Sequence, residues 1–330
     1  MSAGSELKIL SDNITAGGGT VLFDPRNIFI EDAADVDQSS FVLGHEFSST
    51  VSLSSSLGAG DNFGAAVAID GKRVAIGTPG DDARFGNLQD AGAVYLFTFD
   101  VADLSGGRLE AIVGRGYVGG KNFQPLNLGA GDRFGTALAL DGNRLVVGAP
   151  GDDGFGNQTS NAGAVYLLNF AGDAFANLAT RRLFGTGYDS GVSINVESDV
   201  GDGFGRAVAL DGIDLAIGAP GDDGARDGRS NTGRVDVFEL AFNGAELKSQ
   251  IGAGYQDNVT FIPGSKGRPS STRLNFSGID TILRNGDAFG ASLALDDRRV
   301  FIGAPGSDGF FGRRLGVGAV RHMKFNPDFS

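Results

Sequence analysis

The sequence predicts an all-β fold, a β-propeller of four-stranded antiparallel blades, and three observations predict it. A Gly-Asp-x-Phe-Gly phrase occurs four times, beginning at Gly60, Gly131, Gly201 and Gly286. A Gly-x-Pro-Gly-x-Asp phrase follows each copy after 17 residues, at Gly77, Gly148, Gly218 and Gly303, while the copies recur at steps of 71, 70 and 85. Around both phrases lie short apolar runs broken by turn residues, with no helical period of useful length. Self-similarity on this scale marks an array of one supersecondary unit. Four short strands per unit, joined by turns, is the pattern of a propeller blade.

The second copy serves to justify each strand. Thr136–Leu140 is apolar, Asp141-Gly142 follows, and Arg144–Val147 resumes the apolar run. Two such runs around a Gly that can take positive φ predict a tight hairpin. Asp70-Gly71 and Asp211-Gly212 repeat this turn, whereas Asp296-Asp297 in the fourth copy predicts a looser one. Pro150 then ends the second strand, because proline cannot donate to a ladder. A polar loop leads to a third strand at Gly163–Phe170, and a fourth spans Leu178–Phe184 before Gly185-Thr-Gly-Tyr188.

The third strand separates a blade array from a lone sheet with one wet face. Ala93–Phe97 is apolar at consecutive positions, so both of its faces must be covered. Blades nested face to face do this; a β-sandwich or β-helix is the competing architecture.

Phe63-Gly64 with Gly77-Thr-Pro79, Phe134-Gly135 with Gly148-Ala-Pro150, Phe204-Gly205 with Gly218-Ala-Pro220, and Phe289-Gly290 with Gly303-Ala-Pro305 resemble the FG-GAP repeat. The resemblance runs over about residues 57–325 and is closest to the bacterial variety. It implies blades like those of integrin α-subunit propellers and of bacterial surface and secreted proteins. On physical grounds the Phe would plug the gap between blades, the glycines would allow close backbone approach, and the Pro would stiffen the turn.

Residues 1–56 lack both phrases but hold strand-like runs at 20–23, 27–30, 40–43 and 50–53, and read as a divergent N-terminal blade or closing strands. Asn13–Pro25 also resembles, over a short stretch, repeats of filamentous-haemagglutinin-type adhesins. Residues 57–330 supply four blades of the same propeller. One divergent blade plus four gives a ring of about five; an open arc of a larger propeller is the alternative.

Composition narrows the function. The chain has 40 acidic against 27 basic side chains, a net charge of −13, which argues against nucleic acid as a partner. Cysteine is absent, so disulfides, thiol catalysis and Cys-based zinc sites are excluded. No apolar run reaches the length of a membrane span. The opening residues do not resemble a signal peptide, and the chain reads as part of a longer protein. Its two histidines, His45 and His322, stand in unrelated contexts; His322 is expected on an edge-strand surface. The pairs Arg181-Arg182 and Arg313-Arg314 are expected to be solvated.

The candidate metal ligands are the acids after each Pro-Gly: Asp81, Asp82, Asp152, Asp153, Asp222, Asp223 and, in the fourth copy, Asp308. The resemblance implies calcium at this place, with Asp90, Asp227 and Asn231 as later ligands. The acids are adjacent rather than alternating, unlike an EF-hand-type loop. Asp is also a good turn-former through its backbone-bonding carboxylate. Calcium is thus the candidate cofactor, and none is required by the reading. Asp61, Asp132, Asp202 and Asp287, present in every copy, are expected to be structural.

The function expected is a non-catalytic adhesion or interaction module of a bacterial exported or cell-surface protein. Its partner would be protein or glycan on a cell surface, met by the loop between Pro and third strand (residues 85–90, 155–161, 225–232 and 310–316). A spacer or assembly subunit touching neighbouring repeats is the alternative, and a propeller-borne polysaccharide lyase or glycosidase a more distant one.

Overall fold

The computed structural model describes strands within residues 7–30, Leu53, and residues 56–255 and 283–325 apart from 101–106, 126, 173, 177, 190–192, 226–227, 242–243 and 310–314. All regular elements among these residues are strands.

Strands β1 (Leu7–Leu10), β2 (Asn13–Ala16), β3 (Gly19–Asp24) and β4 (Asn27–Ile30) make one antiparallel sheet in sequence order. The first motif copy is a second such sheet, blade 1: β5 (Ala66–Asp70), β6 (Arg73–Thr78), β7 (Ala93–Thr98) and β8 (Arg108–Gly114). Blade 2 comprises β9 (Ala137–Asp141), β10 (Arg144–Ala149), β11 (Ala164–Phe170) and β12 (Leu178–Gly185), with β13 (Ile194–Asn195) added parallel to β12. Blade 3 is β14 (Ala207–Asp211), β15 (Asp214–Ala219), β16 (Arg234–Ala241) and β17 (Gly244–Gly252). Blade 4 has three described strands, β18 (Ser292–Asp296), β19 (Arg299–Ala304) and β20 (Ala319–Lys324).

The first hairpin of every blade has a two-residue loop. Gly71, Gly142 and Gly212 take positive φ there, as the sequence predicts. The fourth departs from expectation. Asp296 pairs with Arg299 in full register, so the hairpin is as tight as the others, and Asp297 and Arg298 both adopt positive φ to close it. The Asp297 amide also donates to Asp211 Oδ2 of blade 3 at 2.7 Å, repeating the bond from the Gly212 amide to Asp141 Oδ2. This cross-blade bond recovers part of what two non-glycine residues lose in a left-handed turn.

The blades nest in sequence, with β5 against β9, β9 against β14 and β14 against β18. Alternation along the inner strands explains how. In blade 2, Leu145, Val147 and Tyr166 join a core with Ala75, Val94 and Leu96 of blade 1. Their sequence neighbours Val146, Val165 and Leu167 join a different core with Leu215, Ile217 and Phe238 of blade 3. Ala216, Val235 and Val237 of blade 3 then meet Val300 and Ile302 of blade 4. A strand with period-two side chains and apolar residues at every position serves two neighbours at once. Each fully buried Leu, Val or Phe in these layers contributes about 1.5–3 kcal/mol of apolar burial.

The same alternation leaves both ends of the four-blade series uncovered among the described residues. Leu138 and Leu140 of blade 2 pack toward blade 1, but their counterparts Val67 and Ile69 are 61% and 56% exposed. Ala75 and Val94 face blade 2, but their counterparts in blade 4, Phe301 and Val320, are 48% and 72% exposed. His322 is exposed in β20 and its ring lies 4.6 Å from that of Phe301.

Candidate functional site: the loop face and its axial cavity

The two repeated phrases meet at one face of the blades. In each copy the phrase glycine after Phe donates back to the second strand: Gly64, Gly135, Gly205 and Gly290 bond the carbonyls of Gly77, Gly148, Gly218 and Gly303, all at 3.0 Å. The same phrase latches onto the preceding blade. The amides of Gly131, Arg133 and Phe134 donate to the carbonyls of Gln89, Asp90 and Ala91. Gly201, Gly203 and Phe204 repeat this on Ser160, Asn161 and Ala162, and Gly286, Ala288 and Phe289 on Ser230, Asn231 and Thr232. Phe134, Phe204 and Phe289 are fully buried in the three interblade cores, while Phe63 packs edge-on against Tyr95 of its own blade. Pro79 lines the mouth described below, and Pro150, Pro220 and Pro305 stand at the same turn in their copies.

The acids after Pro-Gly divide into two jobs. The first of each pair is buried: Oδ1 of Asp81, Asp152 and Asp222 accepts the amide two residues on, at 2.8–2.9 Å. Oδ2 of Asp81 accepts the Tyr117 hydroxyl at 2.8 Å, and Tyr188 donates to Asp152 at 2.9 Å. The second acid ties the loop's far end. Asp82, Asp153, Asp223 and Asp308 each accept an amide eight residues later, from Asp90, Asn161, Asn231 and Gly316. Asp90 and Asn231 thus enter through backbone amides; Asp227 lies outside the described residues. Among the described residues no three acidic or histidine side chains converge as a metal cage, and these carboxylates already serve as acceptors for loop amides and tyrosines.

The invariant Asp of the other phrase caps its own loop. Asp61, Asp132, Asp202 and Asp287 each accept the amide three residues earlier at 2.6–2.9 Å. Burial raises the carboxyls of Asp132 and Asp202 to about 7, against the opposing amide bond, and raises those of Asp81 and Asp152 to about 6.

Blade 3 solves the same packing problem with a different set. Where blades 1 and 2 hold Ala93 with Tyr95 and Ala164 with Tyr166, blade 3 holds Arg234 and Asp236. Arg234 is buried and ion-pairs with Asp222 Oδ2 at 2.6 Å. Its Nε lies 3.1 Å from Asp236 Oδ1, and its other nitrogens reach the Tyr255 hydroxyl, Ser198 Oγ and the Glu197 carbonyl. Burial opposes the guanidinium charge, but Asp236 and Asp222 hold it protonated. Sequence reading missed this cluster. The paired departure of positions 234 and 236 from their sister copies was the available signal. It also expected Arg182 to be solvated. Arg182 is buried, and donates to the Ala241 carbonyl of blade 3 at 3.1 Å; Arg313 and Arg314 lie outside the described residues, as does His45.

At the centre of this face is an open cavity of about 490 Å³, lined by Asn62, Asp90, Arg133, Thr136, Arg206 and Ala291 among others. The residue directly after each Phe-Gly reaches it: Ala65, Thr136, Arg206 and Ala291, one from each motif copy. Four blades therefore share one axis. Farther out on the same face, Phe85 and Phe155 occupy the loops between Pro and third strand and are 79% and 64% exposed. Phe155 leans edge-on against Tyr188 at 6.0 Å.

Blades that latch through their phrase glycines about a common axis define a β-propeller-type repeat array. The FG-GAP repeat family model matches residues 52–97, 125–168 and 197–238, so these three stretches are FG-GAP repeats. Phe289 and Gly290 make the same bonds as their sister residues, so the fourth copy is the same unit on structural grounds. No curated protein matches the chain. Among the described residues no helix is long and apolar enough to cross a membrane.

Proposed function

We propose that the chain is a non-catalytic interaction module of a bacterial exported or cell-surface protein, binding protein or glycan on a cell surface through its loop face. FG-GAP repeats suggest an interaction module in general. The observation that carries the finer reading is the pair Phe85 and Phe155. Large aromatics this exposed, on equivalent loops and the same face, are unusual without a partner. The latches fix those loops relative to one another, which lowers the ordering cost of binding. The test is binding of the purified chain to cells and to a glycan array, with F85S/F155S as the comparison. Lost binding at unchanged melting temperature supports display; unchanged binding sinks it.

A second reading, a spacer or assembly subunit, is favoured by one specific observation, the uncovered apolar faces at Val67/Ile69 and Phe301/Val320. Neighbouring repeats of a longer chain would cover them. Light scattering across a dilution series separates the two: self-association lost on V67K/V320K supports assembly.

A further inference from the structure

We propose that the axial cavity is a binding site for an oxyanion, the carboxylate or phosphate group of a ligand, held by Arg133 and Arg206. The proposal rests on reading the loop face as an interaction surface and names the chemistry of its centre.

Three observations converge. First, Arg133 and Arg206 line the same cavity from different blades, Arg133 in the phrase of blade 2 and Arg206 directly after that of blade 3. Second, they are exposed, and among the described residues neither side chain has a hydrogen bond or an ion pair. The chain has a net charge of −13, so carboxylates are in surplus. Arg73, Arg108, Arg234, Arg298 and Arg299 all have acidic partners. Third, the fold asks for no cation at either position. Arg133 corresponds to Asn62, Gly203 and Ala288, and Arg206 to Ala65, Thr136 and Ala291, in blades with the same latches. Arg133 even holds a left-handed backbone, φ 56°, where blade 3 uses glycine.

Arginine is suited to this task, since its planar fork matches the two oxygens of a carboxylate or phosphate. The other lining groups fit the assignment. Asn62 carries an amide that can donate. The Thr136 hydroxyl is already committed to the Arg133 carbonyl at 2.7 Å, which buttresses the turn carrying Arg133. Asp90 is the one acid on the lining, leaving the cavity with a net positive charge. Its amide is fixed by Asp82.

The experiment titrates the full chain with inorganic phosphate and with citrate by calorimetry, at ionic strength matched with sodium chloride. R133N and R206A, each a residue that a sister blade carries at that place, are the variants. We expect saturable binding that weakens at least tenfold in R133N/R206A, partially in each single variant, with the ligand-free melting temperature unchanged. Tighter binding of citrate would assign a carboxylate, and of phosphate a phosphoryl group. Equal binding by the double variant, or no saturable binding by the unmodified chain, overturns the proposal. The F85S/F155S chain separates this from the display reading: it should keep anion binding while losing cells or glycans.

Discussion

Gly163 and Phe204 touch backbone to backbone across the boundary between blades 2 and 3. A Cβ placed on Gly163 would lie 2.1 Å from the Phe204 carbonyl oxygen, and Gly92 and Gly233 stand in the same relation to Phe134 and Phe289. The bridge between each pair is parallel and isolated, so blade-to-blade cohesion combines apolar burial with a short backbone seam. Only a residue without a side chain can sit there.

G163A should therefore destabilise the chain by about 3 kcal/mol or more, since the clash is with backbone that three hydrogen bonds hold in place. G142N is the control. Gly142 also has positive φ, but nothing lies within 4 Å of its missing Cβ, and Asn tolerates that conformation. Denaturant unfolding should show a large loss for the first and a change within about 1 kcal/mol for the second.

Removing the buried Arg234 charge should be costly, and its cost should be recoverable. R234A leaves Asp222 and Asp236 buried without their cation, a loss of about 3–5 kcal/mol. R234A/D236Y installs the Ala and Tyr that blades 1 and 2 carry and should regain most of that. A double variant no more stable than R234A would show that the blade 3 pocket has diverged beyond this swap.

The distance between what was legible and what was not follows from periodicity. Strand order, hairpin turns and the burial of Phe134, Phe204 and Phe289 could be read because the phrases recur; Phe63 departs from them, half-buried against its own blade, because no described blade precedes it. The tight fourth hairpin could not, because its stabilising bond comes from Asp211 of another blade. The axial cavity was invisible for the same reason: Arg133 and Arg206 are variable letters inside a constant phrase, and only the shared axis brings them together. The Asp pairs were legible as residues, but their amide donors, two and eight residues on, were not.

Stability should rise as the solution is acidified from neutrality to about pH 4. Burial raises Asp81 and Asp152 to about 6 and Asp132 and Asp202 to about 7. The folded chain thus binds more protons than the unfolded chain between pH ~4 and ~7. Their contribution is fully present below the unfolded value and is lost as pH rises through the folded values. Glu110, held low by Lys121 and Thr98 against its burial, opposes this with the reverse sign. Calorimetry at pH 5 and pH 7.5 should give the higher melting temperature at pH 5. D132N/D202N should flatten the difference.

Chelation should leave the fold unmoved. The first acid of each pair is bound by amide and hydroxyl donors and the second by the amide eight residues on, so protein donors already tie both ends of the loop. Melting temperatures in EDTA and in millimolar calcium are expected to agree within about 1 °C at matched ionic strength. A rise of several degrees with calcium, abolished by D152N/D153N, would restore these loops as metal sites.

The exposed ends of the blade series lead to the last test, which concerns residues 1–56. Val67 and Ile69 repeat positions that elsewhere face the preceding blade, and Phe301 and Val320 repeat positions that face the following one. One added blade would cover both surfaces in a closed ring. The four-stranded sheet β1–β4 has the strand number for it, and we propose it as that blade. A chain lacking residues 1–50, which keeps the buried Leu53, should then melt lower and bind a hydrophobic dye more strongly. I69K should cost stability in the full chain and little in the shortened one, since the partner surface is already gone. Equal costs in both would show that something other than β1–β4 covers blade 1, and concentration-dependent melting would identify it as a second copy.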